Sequence, residues 1–250
     1  MNIGALIIGD EILSGKRADK HLPHVIATLA ARGLMLDFVH YFGDDRERLT
    51  ALLRDSFARA DLLFSFGGIG ATPDDHTRQA AAAALKLPLV RHPEAVAEIE
   101  ARFGADAYPH RVLMAEFPEG ARVIPNPVNR IAGFSIRDHH FVPGFPQMAW
   151  PMLDWVLATW YADLRQVPPQ ERAIVVHDAG ESQLLPLMEA NVALFPQLKL
   201  FSLPSFMSDG ARRIELGVKG DPNLVDAAIA HLKEGVEAAG FRWEPFEESA

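Results

Sequence analysis

The chain is expected to be an α/β protein in two parts, on three observations. Strand-to-helix alternation occurs three times within the first ninety or so residues, consecutive prolines at Pro168-Pro169 interrupt the pattern, and a β-α-β-β-α-β order follows. The first part, residues 1–165, reads as a parallel sheet with helices on both faces. The second, residues 171–250, reads as a small α+β domain, a four-stranded sheet with both helices on one face in the ferredoxin-like arrangement.

Ile3 to Ile8 is a continuous apolar run ending in Gly9-Asp10, the pattern of a buried parallel strand that stops at a ligand-side loop. Leu22, Val25, Ile26 and Leu29 then recur at helical spacing, and Gly33 closes that helix. Leu34 to Phe42 is read as the second strand. Asp44 or Asp45 can cap the next helix, whose apolar positions are Leu49, Leu52, Leu53 and Phe57. Asp61 to Phe66 is a third strand, running into Gly67-Gly68-Ile69-Gly70. Helices are expected over Thr77 to Leu85 and Pro93 to Phe103, a short helical piece over Arg111 to Glu116, and a strand over Arg122 to Ile124. Ala132 to Pro143 suits a hairpin turning near Asp138, and Met148, Met152, Trp155, Val156 and Thr159 mark a closing helix. In the second part the expected elements are strand 171–177, helix 182–193, strands 197–203 and 211–218, helix 222–239 and strand 241–246. Ser182 is read there as a helix N-cap, and Val225, Ile229, Leu232 and Val236 as one apolar stripe.

Composition bounds the function. The 24 Lys and Arg stand against 33 Asp and Glu, and the net charge of -9 disfavours long-range attraction to nucleic acid or to an anionic membrane surface. The absence of cysteine excludes disulfides, thiolate catalysis and Cys-ligated zinc. Met1 to Ile8 has no basic leader or cleavage site, and no segment approaches the ~20 apolar residues of a membrane helix, so a cytoplasmic protein with no membrane partner is the expectation. None of the ten histidines forms a metal set: His21 and His24 share a helix without the Glu of a zinc protease, and His139-His140 are merely adjacent. Neither Ser14 nor Ser205 has the surroundings of a nucleophile.

Two segments carry most of the chemistry. Gly67 to Thr77 follows a buried strand and opens a helix, and Gly67, Gly68 and Gly70 allow backbone N–H groups to approach a phosphate or a ring. The helix beginning near Thr77 adds its positive end. Asp74 and Asp75 would repel a phosphate unless a divalent cation neutralised them, which suggests magnesium with a phosphorylated ligand; the alternative is that one of them caps the helix and Pro73 sets the turn. Gly9-Asp10-Glu11 lies at the end of the first strand, where parallel sheets bind ligands. Its loop adds Lys16 and Arg17 for phosphate, with Asp10 or Glu11 reaching a metal or water; surface salt bridges are the plainer reading. Of Asp44 and Asp45, one is expected to cap a helix and the other to face the ligand. Asn126 is a candidate for reading a base or pterin edge and Arg130 for phosphate, while Gly144, between Pro143 and Phe145-Pro146, would let backbone approach a ligand or make a rigid turn.

Taken together, Gly9 to Lys16, Gly67 to Thr77, Asn126-Pro127-Val128 and Pro143 to Met148 resemble, in order, the motifs of the molybdopterin-binding family that includes the molybdenum-cofactor biosynthesis proteins and the N-terminal portion of the competence/damage-inducible proteins. The likeness spans residues 1 to about 165, and the remainder is similar to the small βαββαβ domain of the longer members. It implies a three-layer α/β/α domain that self-associates as a dimer or trimer, with its ligand at the strand ends. Relatives adenylylate molybdopterin or insert molybdate, and longer ones hydrolyse a nucleotide pyrophosphate such as ADP-ribose with a divalent metal. By match, Asp75 and Asp44 or Asp45 stand at acidic ligand-site positions. The chain differs from the family at Ala71, commonly Pro, and at Asn129 to Gly133, commonly Gly-Thr-Ala-Pro-Gly. A chain ending at Ala250 is expected to lack the amidase domain and activity of the longest members.

The leading expectation is therefore a molybdopterin- or nucleotide-binding protein acting as a metal-dependent nucleotide pyrophosphatase. In it, Asp10 and Asp75 hold magnesium or another divalent cation, Lys16 stabilises developing charge, and the ligand-binding set includes Gly9, Glu11, Asp44, Asp45, Gly67, Gly68, Gly70, Thr72, Asp74, Thr77, Asn126 and Gly144. The alternatives are a non-catalytic module that binds molybdopterin or a nucleotide, and an adenylyltransferase-like activity.

Overall fold

The computed structural model describes residues 2–206 and 212–246. The expected strand start at Ala211, and residues 1 and 247–250 of the expected domains, lie outside the described residues. The chain divides into two compact units, Met1–Arg165 and Gln166–Ala250.

In the first unit the elements run β1 (Ile3–Ile8), α1 (Asp10–Leu13), α2 (His21–Ala30), β2 (Phe38–Phe42), α3 (Arg46–Arg59), β3 (Leu62–Phe66), α4 (Thr77–Leu85), β4 (Leu89–Arg91), α5 (Pro93–Phe103), β5 (Glu116–Pro118), β6 (Arg122–Ile124), β7 (Gly133–Ile136), β8 (His139–Val142) and α6 (Pro146–Thr159). Six strands form one sheet in the order β2-β1-β3-β8-β7-β6. β2, β1, β3 and β8 are mutually parallel, and β7 and β6 continue the sheet antiparallel.

The inner strands β1, β3, β8 and β7 are buried on both sides, which explains why β1 reads as an unbroken apolar run. Alternate residues of β1 divide between two cores. Leu6 and Ile8 pack with Leu49, Leu53 and Phe57 of α3, Ala80 and Ala81 of α4 and Ile99 of α5. Ile3 and Ile7 pack with Val25 and Leu29 of α2 and Met152, Leu153 and Val156 of α6. Helices on both faces make three layers, as the resemblance implied.

The register decides where a ligand can sit. Ile8 pairs with Phe42, Ile7 with Phe66, and Phe66 with Val142, so four parallel strands end along one edge. The loops that follow start at Gly9, Gly43, Gly67 and Pro143, and they are tied across that edge: Gly9 N–H donates to Phe42 O at 3.0 Å, and Gly67 N–H to Val142 O at 3.0 Å.

Several local expectations are corrected. β2 begins at Phe38 and not Leu34, because the Asp37 carboxylate and amide both engage Ile3 at the start of the pairing (Ile3 N to Oδ2 2.7 Å; Asp37 N to Ile3 O 2.8 Å). Asp10 to Leu13 forms a single helical turn where an open loop was expected. A two-stranded ribbon of β4 and β5 was not foreseen.

In the second unit β9 (Gln170–His177), α7 (Glu181–Leu194), β10 (Lys199–Phe206), β11 (Arg212–Gly220), α8 (Pro222–Ala238) and β12 (Arg242–Pro245) give the β-α-β-β-α-β order. The sheet order is β10-β11-β9-β12 and every neighbour is antiparallel, the ferredoxin-like topology. Ile174, Val176, Ile214, Leu216 and Val218 pack under Val225, Ala228, Ile229, Leu232 and Val236. The N-cap of α7 is Gly180 rather than Ser182: the Gln183 side chain turns back to accept from Gly180 N–H at 2.8 Å. Among the described residues no helix is long and apolar enough to cross a membrane.

Candidate ligand-binding site

A cavity of about 460 Å³ lies over the strand-end edge of the first unit, a size that suits a small molecule. Its walls come from all four loops. Gly9 and Glu11 follow β1, Asp44 follows β2, the run from Gly67 to Thr72 with Asp74 and Asp75 follows β3, and Pro143, Gly144, Phe145 and Met148 follow β8. Arg17, Met114, Asn129 and Ile131 complete the lining.

The glycines after β3 are required by shape. Gly67 has φ +106°, and a Cβ there would lie 2.5 Å from the backbone oxygen of Ile8; Gly68 has φ +68°, and a Cβ would meet Thr77 Oγ1 at 2.2 Å. The loop is fastened from behind. Thr77, fully buried, donates from its hydroxyl to Gly67 O at 3.0 Å and from its amide to Gly68 O at 2.9 Å. Arg78, 3% exposed, donates to the carbonyls of Gly70 (2.5 Å), Glu116 (3.2 Å) and Leu113. Burial lowers the Arg78 pKa, opposed by Glu116 and Asp75. Among the described residues the amides of Gly68, Ile69, Gly70 and Ala71 have no protein acceptor, so this wall of the cavity holds consecutive backbone donors available to a ligand.

Asp75 folds back on its loop, its Oδ2 accepting from Thr72 N–H at 2.9 Å and from the Thr72 hydroxyl. Asp74, beside it, is exposed to solvent. Across the cavity, Asp44 and Asp10 are reciprocally bonded: Asp10 N–H donates to Asp44 Oδ2 at 3.0 Å and Asp44 N–H to Asp10 Oδ1 at 3.3 Å. Burial raises the Asp44 pKa, and the Asp10, Glu11 and Asp74 carboxylates push the same way against the Asp10 amide. Glu11, Asp44, Asp74 and Asp75 thus face the cavity with Arg17 as the one cationic lining residue.

The loop after β8 is held by α2. His21, 5% exposed, stacks on Phe66 at 4.5 Å between ring centroids, and its Nε2 lies 3.0 Å from Gly144 O. A carbonyl only accepts, so Nε2 carries the hydrogen. Burial lowers the His21 pKa. Gly144 in turn sits against Gly67, where a Cβ would lie 3.3 Å from its Cα.

Six residues singled out in the sequence do not line this cavity. Asp45 is the N-cap of α3, accepting from Arg48 N–H at 2.9 Å, which leaves Asp44 as the member of the pair that faces the cavity. Asp10 spends an oxygen on Asp44 N–H, and Thr77 is internal. Lys16 is exposed, and after the left-handed turn at Gly15 it is Arg17 that reaches the lining. Asn126 is saturated within its own loop: Nδ2 donates to Asn129 Oδ1 and Ile131 O, and Oδ1 accepts from Val128 and Asn129 amides. Asn129 stands in the lining in its place. Arg130 pairs with Glu98 at 2.6 Å. Arg78, His21, Met114 and Phe145 were missed. An arginine in an Ala-rich helix and one of two histidines on a largely apolar helix give no sequence signal of burial, and Met114 is far from every motif.

The expected magnesium has weak support in this arrangement. Among the described residues no three His, Asp or Glu side chains are grouped to hold a metal ion, and Asp10 is turned to Asp44 while Asp75 is turned to Thr72.

The fold and this strand-end cavity define a ligand-binding α/β domain, and comparison with known proteins gives its family. The family profile described as a probable molybdopterin binding domain matches residues 4–163, and the chain belongs to that family. It is similar to CinA-like proteins. One from Anaeromyxobacter dehalogenans strain 2CP-C is 35% identical over 246 residues, 95% of this chain and 52% of that protein. A protein of Caldivirga maquilingensis is 31% identical over 195 residues, 75% of each chain. A solved structure of CinA from Thermoplasma acidophilum, described as of unknown function, matches with a TM-score of 0.58 at 25% identity, covering 66% of this chain and 100% of that one. The chain spans about half the length of the A. dehalogenans relative.

Proposed function

We propose that the first unit is a binding module for a phosphorylated, ring-bearing small molecule of the molybdopterin or nucleotide kind, and that it holds the ligand without turning it over. The observation that carries this reading is the run of amides from Gly68 to Ala71, which among the described residues have no protein acceptor and whose residues line the cavity together with Asp44 and Glu11. Backbone donors suit phosphate oxygens, and the positive end of α4 favours negative charge at the same place. Carboxylates suit the N–H edge of a pyrimidine or pterin ring. The two kinds of group lining one cavity match a ligand with an anionic end and a donor edge.

Metal-dependent hydrolysis requires a cation between Asp75, Asp10 and the phosphates. Asp10 and Asp75 are engaged within the protein, on Asp44 and Thr72, in ways that do not prepare such a site. Molybdopterin, ADP-ribose, FAD and ATP, each with and without magnesium or cobalt, test the reading by calorimetry and by release of phosphate or AMP. Micromolar binding without release, retained in Asp75→Asn, is the expected result. Saturable release lost in Asp75→Asn would establish the hydrolase instead, and no binding of any of the four would remove the proposal.

A further inference from the structure

We infer that Phe145 is the shelf on which the planar ring of the bound ligand stacks, an assignment that rests on the binding-module reading and adds its specificity determinant. Phe64, Phe66, Phe117, Phe134 and Phe141 in the same unit are each 1% exposed or less, whereas Phe145 is 56% exposed and lines the cavity. It is the aromatic residue of that lining.

The open ring stands on a stiff base. The Phe145 carbonyl accepts from the amides of Met148 and Ala149 at 2.9 Å each, closing the first turn of α6. The preceding carbonyl, Gly144 O, is held by His21, and prolines at 143 and 146 restrict the chain on either side. Met148 also lines the cavity, with its sulfur taking a hydrogen bond from Asn129 Nδ2 at 2.9 Å. A rigid, exposed aromatic side chain loses little freedom when a ring lies on it, and stacking tolerates different heterocycles because each has a π-face. Phe145 and Met148 therefore offer the apolar surface for the ring, while the amides after β3 face the phosphate end.

The test compares ADP and neopterin monophosphate, which carry rings, with ribose 5-phosphate, which carries a phosphate and no heterocycle, on the full chain. In the unsubstituted protein the ring-bearing probes are expected to bind at least tenfold more tightly than ribose 5-phosphate. Phe145→Leu and Phe145→Ser should each weaken ADP and neopterin monophosphate about tenfold, leave ribose 5-phosphate within twofold, and keep the circular dichroism spectrum. Phe145→Trp should restore ring affinity. Unchanged ADP and neopterin monophosphate affinity in Phe145→Leu and Phe145→Ser overturns the stacking role but leaves the binding module standing, as does equal weakening of all three probes. A changed sedimentation coefficient with unchanged affinity would show instead that Phe145 covers a contact between copies. Failure of the unsubstituted protein to bind any probe removes both proposals.

Discussion

His21 and Gly144, 123 positions apart in sequence, are joined by a 3.0 Å hydrogen bond from the imidazole Nε2 to the carbonyl. Through this contact α2 fixes the loop that forms one wall of the cavity. Replacing His21 with Ala should leave that carbonyl without its donor and open a gap beside Phe66. The expected cost is about 2 kcal/mol of stability, read by urea denaturation, with a several-fold loss of ligand affinity in calorimetry. Unaltered stability and affinity would mean that the loop holds itself.

Arg78 is expected to be the largest single contributor among the buried polar residues of the site. Its guanidinium serves three carbonyls, on the loop after β3, on the segment before β5 and on β5 itself. Arg78→Met should destabilise the protein by on the order of 3 kcal/mol, and Arg78→Lys by a smaller amount, since one ammonium cannot span the same set. The ratio of the two losses in urea unfolding is the measurement; equal losses would point to packing of the stem rather than to the guanidinium.

Gly67 and Gly68 separate backbone geometry from ligand contact. At Gly67 an added methyl group meets the backbone of β1, which cannot yield, while at Gly68 it meets a threonine hydroxyl. Gly67→Ala should therefore lower the melting temperature more than Gly68→Ala, and both should cost over ~1 kcal/mol because of their positive φ. Gly144→Ala, with its closest approach at 3.3 Å, should be milder in stability and visible mainly in ligand affinity.

Acid should weaken the fold through two neighbouring histidines. His139 donates to or accepts from Ser56 Oγ at 2.9 Å and His140 meets Tyr161 OH at 2.9 Å, and both rings are 1% exposed. Burial lowers the pKa of His139 to about 4 and of His140 to about 3, with Asp61 and Asp138 opposing at the first ring and His139 adding at the second. Because the folded values lie below 6.5, the unfolded chain binds more protons in the interval between, so stability is full above pH 6.5 and is lost as pH falls toward 4 and 3. By pH 4 the loss is on the order of 3 kcal/mol per ring. Unfolding midpoints between pH 7 and 4 should show it, and His140→Gln should flatten the slope; an unchanged slope would assign the acid sensitivity to carboxylates.

β1 was legible because burial on both faces leaves an unbroken apolar run, and Gly9 and the Gly67 loop stood out because glycine after a buried strand has few other uses. The β4–β5 ribbon was not legible: Leu89-Val90-Arg91 and Glu116-Phe117-Pro118 mix apolar and charged residues over three positions each, next to helical segments. Asn126 looked like a ligand reader because its type suits the task, yet its amide is consumed within five residues of itself, a saturation that only coordinates reveal. Asp44 and Asp45 were equivalent in sequence, and the N-cap geometry of α3 separates them. Lys16 was chosen over Arg17 for the ligand's charge, whereas Arg17, past the positive-φ Gly15, is the one that lines the cavity.

The insertion of β8 beside β3 places Gly144 against Gly67, so the cavity is assembled from the two ends of its unit. A molecule lodged there acts as a clasp between the opening strands and the closing helix. Occupancy should consequently slow amide exchange in α6 as well as in the loops that touch the ligand, and shield the Pro143–Pro146 segment from proteases.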